Sequence, residues 1–203
     1  PLGILLGAVI WALPDYDRAP VELIRKLFFG AVIVMMLWPN YVAIAIPGLP
    51  WISFQRLFLV PLSVVLLVSL SISETFRSEL KRIVSVSPPI WKMMAGFLAI
   101  QCLSLIMAHA RLFEAVKDLF NYQLVWTAVF FASAWVFRDI RNIRLWFLIL
   151  FAAAMILTVV GAFEAVSQQA LWAAHIPSFL KMDSEMIEMI LRGGARAQAY
   201  RVQ

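Results

Sequence analysis

Between Arg56 and Glu74 the chain runs seventeen residues without a charge, and uncharged stretches of similar length recur at 93–110, 119–137 and 145–163. Seventeen to twenty apolar residues make about 25–30 Å of helix, the thickness of a bilayer's hydrocarbon core. No water is available there to satisfy an open backbone, so such stretches cross as helices whose hydrogen bonds close internally. The composition agrees, with 63% hydrophobic and 14% charged residues where soluble domains hold about 25% charged. The expectation is an all-α, polytopic helical membrane protein.

Six spans are expected, at about 1–13, 28–46, 57–73, 93–110, 119–137 and 145–163, forming a transmembrane helical domain over 1–163. The connections alternate in charge. Loops 14–27, 74–92 and 138–144 hold Arg18, Arg25, Lys26, Arg77, Lys81, Arg82, Lys92, Arg138, Arg141 and Arg144, whereas the opposite short loops hold only Arg56, Arg111 and Lys117. Lys and Arg resist translocation, so ten against three places the first set in the cytoplasm. Residues 164–203 then form a segment on the outer side.

The net charge of +5 is gathered in short connections between apolar runs, which is an orientation signal and not a nucleic-acid surface. The chain opens on Pro1 with a clipped apolar run and no small-residue cleavage site, so residues upstream of it are expected. Cys102 is the single cysteine and lies mid-span, which excludes an intrachain disulfide and reads as a small buried apolar residue.

The segment from Leu27 to Gln55 carries Pro39, Pro47, Gly48 and Pro50, so one straight helix is excluded. A kink is expected at Pro39 and an outer loop at 47–56, with Trp51 at the headgroup level. In 111–122, Leu112, Val116, Leu119 and Phe120 fall on one helical face while Glu114, Lys117, Asp118 and Asn121 fall on the other. That pattern fits a short helix in the outer interface or the wet end of the next span. After Glu164 the tail is too polar, and too broken by Pro177, to cross again. Asp183 or Ser184 then caps a short helix that ends at Gly193.

No His/Cys/Asp cluster has metal-ligand spacing, so neither a metal nor another cofactor is expected. The outer side offers arginines. Their planar donor forks match phosphate oxygens, so several at one membrane edge suit a lipid-linked diphosphate. Arg56 and Arg111 sit at span ends, where the alternative is a side chain reaching to the interface. Arg196 and Arg201 follow a helix stop in GGARAQAYRVQ with no nearby acid, where the alternative is a solvated loop. His109 and His175 are candidates for a base, with a headgroup-level anchor as the alternative for His109 and no sequence neighbour to tune His175; Glu164 is a third, with a solvated carboxylate at a span end as its alternative.

The stretch PGLPWISFQRLFLVPLSVVLLV, a proline-marked outer loop leading through Arg56 into an apolar span, resembles the early spans of the bacterial O-antigen ligase and O-antigen polymerase superfamily. The ending AYRVQ resembles the start of that family's outer motif, in which an Arg is followed by a small residue, Gln, Gly and an aromatic-Asn/His-Pro stretch. The resemblance implies a GT-C-like lipid-carrier glycosyltransferase architecture and an inverting, metal-independent enzyme of the inner membrane, working at its periplasmic face. It implies an undecaprenyl-diphosphate-linked glycan as donor, and a growing glycan or a lipid core as acceptor. Arg201 matches the motif arginine and Arg196 is a possible second. The chain stops at Gln203, before the rest of the motif, the large outer loop and the later spans, so a C-terminal half is expected beyond it.

Two other classes compete. A transporter half would need ionisable groups within its spans, and the uncharged stretches have none. A non-catalytic membrane scaffold subunit would explain an incomplete catalytic set.

Overall fold

The computed structural model describes residues 9, 12–14, 19–38, 42–44, 52–107, 112–167 and 180–182. The described chain is mostly helical. In order it forms α1 (Val21–Leu37), β1 (Val42–Ile44), β2 (Ile52–Ser53), α2 (Phe54–Ile72), α3 (Glu74–Ser85), α4 (Pro88–Ser104), a 3-10 turn (Leu105–Met107), α5 (Leu112–Gln123), a π-helical segment (Leu124–Ala128), α6 (Val129–Val136), α7 (Ile140–Ser167) and β3 (Leu180–Met182). It divides into two compact units, one of residues 1–29 and 58–142, the other of 30–57 and 143–203.

In the first unit, α2 buries Leu59, Leu62, Ser63, Leu66 and Ser69. These positions repeat every three or four residues and make one stripe. The two serines leave no orphan hydroxyl, because Ser63 Oγ donates to Leu59 O (2.8 Å) and Ser69 Oγ to Val65 O (2.7 Å). Ala128, Ala132, Trp135 and Val136 form the buried face of the π segment and α6, and Ile24 and Phe28 of α1 are as deeply buried. Small residues on such faces let helices approach closely, which matters in lipid, where packing replaces the hydrophobic effect between helices.

α3 starts because Ser73 accepts the Phe76 N–H on its side chain (3.3 Å), satisfying a first-turn donor. Glu74 in its first turn and Arg82 in its last complement the helix dipole. Its apolar positions Phe76 and Leu80 are buried, with Phe76 stacked at a tilt on Trp135, ring centroids 4.3 Å apart. α3 and α4 meet at a bend of 102°. Pro88 and Pro89 open α4, where a missing N–H costs nothing and φ is already helical.

In the second unit, β2, β1 and β3 make a small antiparallel sheet with β1 in the middle. Ala43 faces Ser53 on one side and Lys181 on the other. Trp38 packs on Phe54 at 4.4 Å between ring centroids.

α2 and α7 are long and apolar enough to cross a membrane, and the bent pair α3–α4 makes a third crossing when counted as one span. α7, 28 residues, rises about 42 Å. Between Phe147 and Phe163 it exposes Leu148, Phe151, Met155, Ile156, Leu157 and Val159, with Ala153 buried. A helix apolar on every side yet uncovered by protein belongs in lipid. The chain has the character of a membrane protein.

The expected spans 57–73 and 145–163 fall on α2 and α7. Three other boundaries differ. The span expected at 28–46 is helical only to Leu37, and Val42–Ile44 is a strand; the residue before a proline avoids helical backbone, so Pro39 ends the helix ahead of itself. The connection expected at 74–92 is α3 and the start of α4, a helix–bend–helix in place of a loop. The span expected at 119–137 joins the helix expected at 111–122, since α5, the π segment and α6 follow one another without a break. Of the expected first span only residues 9, 12 and 13 are described, and the Pro39 kink and the capped helix after Asp183 lie outside the described residues.

Candidate functional site

Of the residues singled out for a diphosphate or a base, Arg56 and Glu164 are described. Arg111, His109, His175, Arg196 and Arg201 lie outside the described residues. Among the described residues no group of His, Cys, Asp and Glu is placed to hold a metal. Arg56 stands in the first turn of α2, half-buried, with its backbone N–H 3.4 Å from Ser53 Oγ. Glu164 stands in the last turn of α7, also half-buried. Both have interaction partners.

The surroundings of Arg56 are set by backbone pairing. β2 runs directly into α2, so the strand end and the helix start are one continuous piece of chain. β3 comes from the tail and pairs with β1 in the register Val42 to Met182, Ala43 to Lys181 and Ile44 to Leu180. Ile52–Ser53, directly ahead of the helix that holds Arg56, and Leu180–Met182, which precedes Arg196 and Arg201 in the chain, therefore lie in one sheet. Ala43 and Leu180 are both buried in it.

A second cluster belongs to the first unit and gathers three connections that the charge pattern assigns to one side. Arg138, in the turn between α6 and α7, is ion-paired with Glu79 of α3. Its guanidinium carbon also lies 3.9 Å from the centroid of the Trp135 ring. Phe137 meets Phe28 of α1 edge-on at 5.4 Å. Asp139 accepts the Arg141 N–H on Oδ1 (2.9 Å), and its backbone carbonyl accepts the Asn142 N–H (3.0 Å), so it caps α7. The Asn142 side chain, buried, donates to Val136 O (2.8 Å). The Arg141 side chain and backbone N–H, bonded to Asp139, hold its carboxyl below the ordinary value of 3.8, with a further contribution from the charge of Arg25.

Where α2 ends, Arg77 of α3 reaches back. Its Nη1 donates to Leu70 O (2.9 Å) and Ser71 O (2.6 Å), filling orphan carbonyls at the negative end of α2. Beside it opens a groove of about 400 Å³, walled by Leu70, Leu80, Val84, Trp91 and Phe131 and edged by Arg77, Lys81 and Ser85. From the sequence this stretch counts only as a set of positive charges. The signal for more was legible, since Phe76, Leu80, Ile83 and Val84 repeat at helical spacing. The bend that adds Trp91, and the approach of Phe131, were not.

Polar side chains also meet in the helical run. Gln123 Nε2 donates to Gln101 Oε1 of α4 (2.7 Å), and the Thr127 hydroxyl donates to Gln123 Oε1. The three residues satisfy one another next to the π segment and carry no charge. Comparison of the chain with known protein families, with curated proteins and with solved structures finds no match.

Proposed function

We propose that the chain belongs to a metal-independent, inverting glycosyltransferase that polymerises or transfers an undecaprenyl-diphosphate-linked glycan at the periplasmic face of a bacterial inner membrane. In this reading the six expected spans carry the site and the tail supplies its cations. The observation that supports this reading is the pairing of β3, which precedes Arg196 and Arg201 in the chain, with β1, the central strand of the sheet whose other edge, β2, runs into the helix that holds Arg56.

The chemistry follows from charge. A sugar hydroxyl of the acceptor attacks the anomeric carbon, the bond to the diphosphate breaks, and negative charge builds on the leaving group. Arg201 and Arg196, with Arg56 at the start of α2, are the cations proposed to receive that charge. Glu164 or His175 is the residue proposed to take the hydroxyl proton. Fixed donors aimed at developing charge lower a barrier more than solvent does, because they need no reorganisation.

The test is a transfer assay with an undecaprenyl-diphosphate-linked repeat unit as donor and membranes containing the full chain. Longer glycan, or glycan on a lipid core, is the expected product. Solute uptake into vesicles without any glycan product would favour the transporter reading. Among the described residues, the middle turns of α2 and α7 hold no ionisable group that such a reading could use.

A further inference from the structure

The groove between α3, α4 and α6 has an address in the bilayer that follows from its own elements. α4 is 17 residues long with no buried residue, about 25 Å of apolar helix open to lipid. α3 leaves it at 102°, so a crossing α4 lays α3 along the membrane surface. α3 is built for that position: Phe76 and Leu80 point inward, while Arg77, Ser78, Lys81 and Arg82 are exposed. Trp91, 42% exposed, stands in the first turn of α4, at the level where indole rings settle.

At that level the groove offers apolar walls below and cations at the rim. No carboxylate lines it. Glu79, the nearest acid along α3, is engaged by Arg138, and Lys81 has no ion-pair partner among the described residues. Arg77 contributes its charge while it caps α2. An apolar slot edged by Lys81 and Arg77, with no carboxylate in its lining, is complementary at the interface to one kind of membrane molecule, an amphiphile with an anionic head.

We propose that this groove binds an acidic phospholipid of the leaflet that faces the basic connections, with one acyl chain against Leu70, Leu80, Val84, Trp91 and Phe131 and the phosphate on Lys81. The bound lipid fixes the angle between α3 and α4 and so anchors α3 at the surface. The proposal requires the membrane character of the chain and not its glycan chemistry, which the transfer assay tests separately.

The test uses the full chain reconstituted in phosphatidylcholine vesicles that contain either brominated phosphatidylglycerol or brominated phosphatidylcholine. Bromine quenches a tryptophan it touches, and the difference from a Trp91→Phe variant isolates Trp91 from the other seven of the eight tryptophans. The expected result is a preference at Trp91 for the acidic lipid of about fivefold, the effect of one cation near a surface. It falls to near one in Lys81→Gln and persists in Lys81→Arg, and both variants keep the fold because Lys81 is exposed. Equal quenching by the two lipids would overturn the proposal, as would an unchanged preference in Lys81→Gln. Displacement of the acidic lipid by millimolar inorganic phosphate would overturn it too, by showing a site for phosphate alone.

Discussion

Arg138 and Glu79 are 59 residues apart and ion-paired, and the same guanidinium lies over the Trp135 ring. One side chain thus ties the α6–α7 turn to α3 through the ion pair and to the last turn of α6 through the ring. Both groups are partly exposed, at 45% and 36%, so water screens the ion pair while the ring contact is shielded from one side.

That difference orders a mutant series. An exposed ion pair contributes about 0–1 kcal/mol and a cation–π contact about 0.5–1 kcal/mol. Arg138→Ala removes both and is expected to lower stability by about 1 kcal/mol, Glu79→Gln by less than half of that, with Arg138→Lys between them. Denaturation of the purified variants in detergent micelles measures the series. Equal losses in Arg138→Ala and Glu79→Gln would show that the ring contributes nothing.

Asp139 gives the same region a pH dependence of known sign. Its carboxyl is held below 3.8 by the bonds from Arg141, so the folded state favours the ionised form. A depressed folded pKa means stability that is fully present above the ordinary carboxylate value and is lost as pH falls through the lower folded value. Asp139→Asn is expected to flatten the acid limb of the stability curve below about pH 4 and to leave the neutral plateau lower, since the amide caps α7 without the ionic bond. A variant whose acid limb matches the parent would remove Asp139 from that transition.

The sheet in the second unit predicts a cross-link. Ala43 and Lys181 are direct partners in the β1–β3 register, and opposed strand positions lie within the Cα separation of about 4.4–6.8 Å that a disulfide requires. With Cys102→Ala as background, the pair Ala43→Cys and Lys181→Cys is expected to close, while the out-of-register pair Val42→Cys and Leu180→Cys stays reduced. Closure in intact cells without added oxidant would also place the sheet in an oxidising compartment. A non-reducing gel mobility shift reads both outcomes.

Arg201 carries the sharpest prediction about activity. Losing one preorganised donor to developing charge costs about 2.7–4 kcal/mol, two to three decades in rate. Arg201→Ala is expected to abolish glycan extension, and Arg201→Lys to restore part of it, because Lys keeps the charge but not the planar fork. Normal product length from Arg201→Ala membranes would take this residue out of the site.

Helical apolar character, the positions of α2 and α7, and the separation of basic from neutral connections were all present in the sequence, because backbone in hydrocarbon must satisfy itself within each segment and each span announces itself locally. A break such as the one after Leu37 is also local, since Pro39 acts on its neighbours, but its consequence is not. β1 exists only because Ile52–Ser53 and Leu180–Met182 supply its missing hydrogen bonds from elsewhere in the chain. The same holds for the groove. The period of Phe76 and Leu80 was legible within α3, whereas the 102° bend and the arrival of Phe131 depend on contacts between distant segments. Short-range hydrogen bonding and solvation decide what each segment is, and long-range packing alone decides which cations stand beside which apolar walls.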